Sequence, residues 1–201
     1  MSARKPSSSP DRRKLIMYGS LVAVIVAVVV AVGWSSRVQK AATDVPITDS
    51  KLKVGDTAPA FAVATNAGNF DSAQVSTPVL LEVFATWCPH CQRETAVLNS
   101  VAAKYAGKVA MVAVSGSPYG VDGSSPETQN DVNGFSDHFA VRYPVAFDAD
   151  LKVAKLYLKS GFPTLVLIGK DKKIAWMTSG EVPESDITKA LNKVLGAGQG
   201  V

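Results

Sequence analysis

Two cysteines and two histidines are all the thiol and imidazole chemistry in this sequence of 201 residues. So few cysteines exclude a framework of several disulfides. They also leave a closed zinc centre short of its four ligands, because His138 stands far from Cys88 and Cys91 with no second ligand beside it. No basic stripe interleaved with aromatics occurs, which excludes a nucleic-acid surface. There is no internal repeat, and no low-complexity stretch beyond the first ten residues. Net charge is also missing from most of the chain, since residues 51–201 balance acid against base. The whole formal charge of +4 comes from the first fifty residues, where Arg4, Lys5, Arg12, Arg13, Lys14, Arg37 and Lys40 outnumber Asp11, Asp44 and Asp49. An apolar share of 47% suits one folded domain with an appendage.

Charge is absent altogether from Leu15 to Val32, "LIMYGSLVAVIVAVVVAV", and does not return until Arg37. An uncharged run of about 20 residues spans a bilayer core as a helix, and in lipid such a helix closes its own backbone bonds. A buried core helix would need a polar face, which this run lacks. The run is long for a signal peptide, and Gly33-Trp34-Ser35 is a poor cleavage site. Arg12-Arg13-Lys14 lacks the rest of a twin-arginine motif and favours a cytoplasmic N-terminus. The expectation is a bacterial single-pass protein in the cytoplasmic membrane. It has a short cytoplasmic tail at 1–14, an uncleaved signal-anchor at 15–34, a linker at 35–55 and an extracytoplasmic domain at 56–197.

Within that domain the pattern alternates strands and helices. Phe61 to Val63 and Asn69-Phe70 flank "TNAGN" as a hairpin. Val79 to Ala85 and Val109 to Val114 are apolar runs of strand length. A helix follows the cysteines with Val97, Leu98, Val101 and Tyr105 inward and Gly107 at its C′ position. Ser125-Pro126 predicts the cap and first residue of a second helix that buries Val132, Phe135 and Phe139. "YPVAF" is a short strand, and Leu151 to Leu158 a short helix. Leu165 to Ile168 and Ile174 to Thr178 are strands around "GKDKK", and Ser185 to Leu195 is a last helix. The fold class is α/β, with an antiparallel hairpin near the C-terminus.

"ATWCPHC", residues 85–91, holds both cysteines. As a staple they would close a tiny loop, and that stabilises little. A partial copper site is an alternative. A redox pair fits the placement best. With the strand ending near Ala85 and Pro89 at a first helical position, Cys88 lies at a helix N-terminus, where unpaired amides favour a thiolate. Cys91 follows one turn later, inside the helix. One sulfur attacks and the other resolves the mixed disulfide. His90, between them, can bond to the Cys88 thiolate or face it as a charge, which stabilises the reduced form. Glu82 interrupts a strand covered on both faces, so its carboxylate is expected beneath the cysteines as acceptor of the Cys91 proton. His138 reads as an ordinary surface or half-buried histidine.

"LLEVFATWCPHC" and "SGFPTLVLI" together resemble the thioredoxin superfamily. The resemblance implies a thioredoxin-like fold, a central mixed sheet flanked by helices. Glu82 falls at the family's buried acid, and Trp87 directly before the nucleophile Cys88. Pro163 falls at the cis-proline. Phe162, Pro163 and Thr164 then form the strip that binds an extended substrate peptide. "VGDTAPAFAV" and "VNGFSDHFAVRYPVAFDADLKVAKLYLKSGFPT" are similar to the N-terminal opening and central insertion of the membrane-anchored TlpA-like/ResA-like thiol-disulfide oxidoreductases. Two features depart from that subgroup. Pro89-His90 is the pair of DsbA-like oxidases, and Glu82 stands where many TlpA-like proteins carry asparagine. There is no room between Cys91 and Pro163 for the large helical domain of DsbA.

What the resemblance implies is an enzyme exchanging electrons with extracytoplasmic protein thiols or disulfides, in either direction, with cytochrome c biogenesis as one setting. It implies no cofactor and no metal, and a membrane or exported redox partner. Two other classes remain. A peroxiredoxin-like peroxidase would use Thr86 with Arg93 or Arg142 beside a peroxidatic cysteine. A copper or apocytochrome chaperone would bind without turnover.

Overall fold

The computed structural model describes residues 49–196, together with Ile25 and Val26, which are helical and exposed. The expected tail, the rest of the membrane span and most of the linker lie outside the described residues. Among the described residues no helix is long and apolar enough to cross a membrane.

Seven strands form one sheet in the order β2-β1-β5-β4-β3-β6-β7. The hairpin β1 (Ala62–Thr65) and β2 (Gly68–Asp71) turns at Asn66-Ala67 and lies at one edge. At the centre, β3 (Val79–Phe84) runs parallel to β4 (Ala110–Ser115) and antiparallel to β6 (Thr164–Ile168). The strand β5 (Val145–Phe147) is parallel to β4, and β7 (Ile174–Ser179) closes the other edge beside β6. Helix α1 (Pro89–Lys104) follows β3, α2 (Gln129–His138) follows β4, α3 (Lys152–Tyr157) follows β5, and α4 (Glu184–Leu195) ends the described chain.

Successive side chains of a strand point to opposite faces, and β3 is buried along its whole length. Leu80 and Phe84 join a core with Leu98 and Val101 of α1, Val132 and Phe135 of α2, and Ile187 and Leu191 of α4. On the other face α3 crosses β3 and β4. Its "DAD" segment has a local cause. The buried Asp148 carboxylate accepts from the amides of Lys152, Val153 and Ala154 at 2.9, 2.7 and 3.1 Å, satisfying the free donors of the first turn. Val153, Ala154 and Tyr157 of α3 are buried, and Leu156 is exposed.

Three boundaries differ from the sequence reading. Helix α2 starts later than Ser125-Pro126 predicted. Thr128 is its cap, in a reciprocal capping box with Asp131. The earlier serine is held by Asp122, and Pro126 pairs with Tyr119. At the end of α1 the cap is Tyr105, so Gly107 lies one residue past the C′ position, in the following turn with φ of 72°. Finally, the last part of the expected linker is tied down. Ser50 donates its amide to Leu158 O at 2.7 Å, Asp49 accepts from the Ser160 amide at 2.9 Å, and Gly55 donates to Ile174 O at 2.8 Å. The folded body therefore includes residues 49–55 as well.

Candidate active site

The two central strands end side by side. Phe84 O accepts from the Gly116 amide at 2.8 Å, so the loop after β3 and the loop after β4 leave the sheet together. Ala85 to Cys88 form the first loop. Pro89 then occupies the first turn of α1, and Cys88 is its N-cap, with φ −80° and ψ 116°. An extended N-cap followed by proline is the backbone the sequence predicted here.

Both thiols are free and buried. Cys88 keeps 4% of its surface accessible and Cys91 none. One sulfur is therefore at the mouth and the other beneath it. Burial, and then the Glu82 carboxylate, hold the Cys91 thiol far above the ordinary thiol range. The Phe162–Pro163 peptide is cis, and Phe162 O receives the Cys88 thiol at 3.7 Å. The ring of Phe162 meets Trp87 edge to face, with centroids 6.0 Å apart, while the Trp87 indole N–H donates to Ser117 Oγ at 2.8 Å.

Thr164 follows the cis-proline as the first residue of β6. It is fully buried. Its hydroxyl contacts Gly161 O at 2.7 Å and Lys159 O at 3.1 Å, and it accepts from the Lys159 amide. Its side chain braces the loop that presents Phe162 and Pro163.

Glu82 is on the α1 face of β3, 4% exposed. Its Oε2 accepts from the Tyr143 hydroxyl at 3.3 Å, and Oε1 has no partner. Burial and then the charge of Glu94 push its carboxyl up to about 8, against the Tyr143 bond. Burial is also the main reason Glu94 is pushed up to about 7, although Val182 donates its amide to it at 3.0 Å. Sequence reasoning passed over Glu94. It falls three residues after Cys91 and four before Leu98, on the inward stripe of α1, and that spacing was the available signal. A third buried acid, Glu127, accepts from Thr86 at 3.0 Å and from Ser115, and burial pushes it up to about 7.

His90 is exposed, and its recorded partners are Glu181 and Arg93. Nδ1 lies 2.5 Å from Glu181 Oε1, and Arg93 Nε donates to both oxygens of Glu181 at 3.0 and 3.1 Å. Sequence reading expected His90 to face the Cys88 thiolate. Here its Nδ1 is engaged across the mouth of the site by a residue from the β7–α4 loop. Thr86 and Arg93, the residues a peroxidatic centre would use, are committed to Glu127 and Glu181. Among the described residues no group of three or more His, Cys, Asp or Glu side chains converges to hold a metal.

The fold and the buried dithiol at a helix N-terminus define a thioredoxin-like oxidoreductase. The Redoxin family matches residues 53–194. The chain is 28% identical over 147 residues to thiol-disulfide oxidoreductase ResA of Bacillus thuringiensis, covering 72% of this chain and 80% of that one. It is 28% identical over 191 residues to ResA of Oceanobacillus iheyensis, covering 91% and 90%. A Chlorobium tepidum structure assigned to thiol:disulfide interchange protein DsbE superposes with a TM-score of 0.63 at 27% identity, covering 73% of this chain and all of that one. The chain belongs to the Redoxin family, and within the thioredoxin superfamily it is ResA/TlpA-like.

Proposed function

We propose that this protein is a membrane-anchored thiol-disulfide oxidoreductase that reduces disulfides in exported proteins, apocytochrome c among them. The observation that carries the chemistry is the layered pair, Cys88 at the mouth against Phe162 O and Cys91 fully buried, close enough to feel the charge of Glu82. Cys88 attacks a substrate disulfide and forms a mixed disulfide. Cys91 gives up its proton to Glu82, attacks Cys88 and releases the substrate as a dithiol. The enzyme is left as a disulfide, to be reduced by a membrane or exported partner. The backbone at Phe162 and Pro163 lines the peptide, beside Trp87, whose ring packs on Phe162.

The uncharged run at 15–34 supports the anchor, and the basic residues before it support an extracytoplasmic domain. Tethering holds the domain near newly exported chains at a raised effective concentration. The reducing direction is favoured by His90, whose ring is held by Glu181. The full-length protein with Cys91→Ala traps substrates on Cys88 in a membrane preparation, and mass spectrometry then identifies exported proteins. Trapping only cytoplasmic proteins, or none, sinks the reading. Equilibration with glutathione reads the direction. A potential near about −270 mV marks a reductant, and one near about −120 mV a disulfide donor.

A further inference from the structure

The charged cluster at the mouth of the site lies outside the exchange chemistry itself. Glu181 stands 88 residues from Arg93 in sequence and accepts from its Nε at 3.0 and 3.1 Å on two different oxygens, and Oε1 accepts from Nη2 as well. It also receives His90 Nδ1 at 2.5 Å. Arg93 Nη2 lies 2.9 Å from the same nitrogen, so three charged or chargeable groups converge one turn from Cys88. Both His90 and Arg93 stand in the first two turns of the helix whose N-cap is Cys88.

We propose that Glu181 is a positioning residue that sets the redox potential, a counter-ion that ties His90 and Arg93 to the β7–α4 loop and so keeps both side chains from stabilising the Cys88 thiolate. A thiolate facing uncompensated cations stabilises the dithiol form and makes the disulfide a stronger oxidant. With Glu181 in place the Pro-His pair sits in a reducing setting. Without it the same pair becomes oxidising. The proposal rests on the dithiol reading above.

The test is the equilibrium of the extracytoplasmic thiols in the full-length protein with glutathione. The protein dithiol loses two electrons and two protons, and one glutathione disulfide takes them up to become two glutathione thiols. The expected result for Glu181→Gln is an equilibrium shifted about tenfold toward the protein dithiol, equivalent to about 30 mV for this two-electron couple. Ultraviolet thiolate absorbance of the reduced protein rises alongside. Glu181→Asp, which keeps the charge, stays nearer the parent. In a His90→Ala, Arg93→Ala background, Glu181→Gln shifts the equilibrium less than about twofold. Thermal unfolding serves as the control for folding, and Glu181 is exposed enough for the substitution to be carried. An unchanged equilibrium in folded Glu181→Gln overturns the inference alone. A full tenfold shift that persists without His90 and Arg93 also overturns it, since the carboxylate would then act directly on the sulfur. A parent protein that never exchanges with glutathione overturns both this and the dithiol reading.

Discussion

The Cys88 thiol donates to the carbonyl oxygen of Phe162 across 3.7 Å, joining the N-terminus of α1 to a loop 74 residues further on. The reactive sulfur and the backbone that would line a substrate thus share one surface. Serine at position 88 keeps a donor of similar shape but removes the nucleophile. Turnover with a disulfide substrate should fall by about three orders of magnitude or more. Thermal unfolding should stay close to that of the parent. Appreciable turnover by Cys88→Ser would require a different nucleophile.

Glu82 should matter in the second half-reaction only. Cys91 is held as a thiol by burial and by the Glu82 charge, so its attack needs a proton acceptor. A carboxyl pushed up to about 8 is closer in proton affinity to a thiol than an ordinary carboxyl. Glu82→Gln should slow release of the mixed disulfide by about a hundredfold and leave its formation within a few-fold. As a base, Glu82 acts when ionised. The parent's release rate should therefore climb as pH rises through about 8 and then level off. Stopped-flow tryptophan fluorescence separates the two steps. Equal slowing of both would remove Glu82 from the proton path.

The same burial leaves a mark on stability. Glu82, Glu94 and Glu127 have folded values of about 8, 7 and 7 against an ordinary value of 4.5. Between those limits the folded protein holds protons that the unfolded chain has lost. Stability is therefore full below about pH 4.5 as far as these three are concerned, and declines as pH rises toward 8. The decline should run across about pH 5 to 8, and Glu82→Gln, which removes the largest of the three shifts, should flatten part of it. Urea unfolding at pH 5, 6.5 and 8 (about one unit apart or more) reads this directly. A parent that gains stability across that window would contradict the assignment of three buried neutral carboxyls.

The parts of the site readable in sequence were those made by neighbours in sequence. Strand, Trp87, Cys88, Pro89 and Cys91 follow from one local pattern of apolar run, proline and helix start. Glu82 was visible as one charge inside an apolar strand. Pro163 was placed by resemblance, and its loop is where the structure puts it. What composition and period did not reveal was made by long-range pairing. Glu181 meets His90 across 91 residues, and Thr86 meets Glu127 across 41. The start of α2 was misplaced for a different reason. Ser125-Pro126 and Thr128 with Asp131 are both acceptable helix starts, and Asp122 had already engaged the serine.

Gly116 offers the sharpest packing test. It follows β4 at the point where the two central strands leave the sheet. A Cβ there would come within 2.6 Å of Val83 Cγ1 and 2.8 Å of Ala154 Cβ, and 3.6 Å from the Phe162 ring. Both close neighbours are buried at the α3 face, and neither is the end of a flexible chain. Gly116→Ala must therefore displace β3, α3 or the Phe162 loop, at a cost of about 1–3 kcal/mol. Because Phe162 O also receives the Cys88 thiol, the displacement should lower exchange activity along with stability. Val83→Ala removes the methyl at the shorter contact. The double variant should lose less stability than the two single losses added together, by about 1 kcal/mol of coupling. Strict additivity of the two would mean that Gly116 is present for another reason than the close approach of β3.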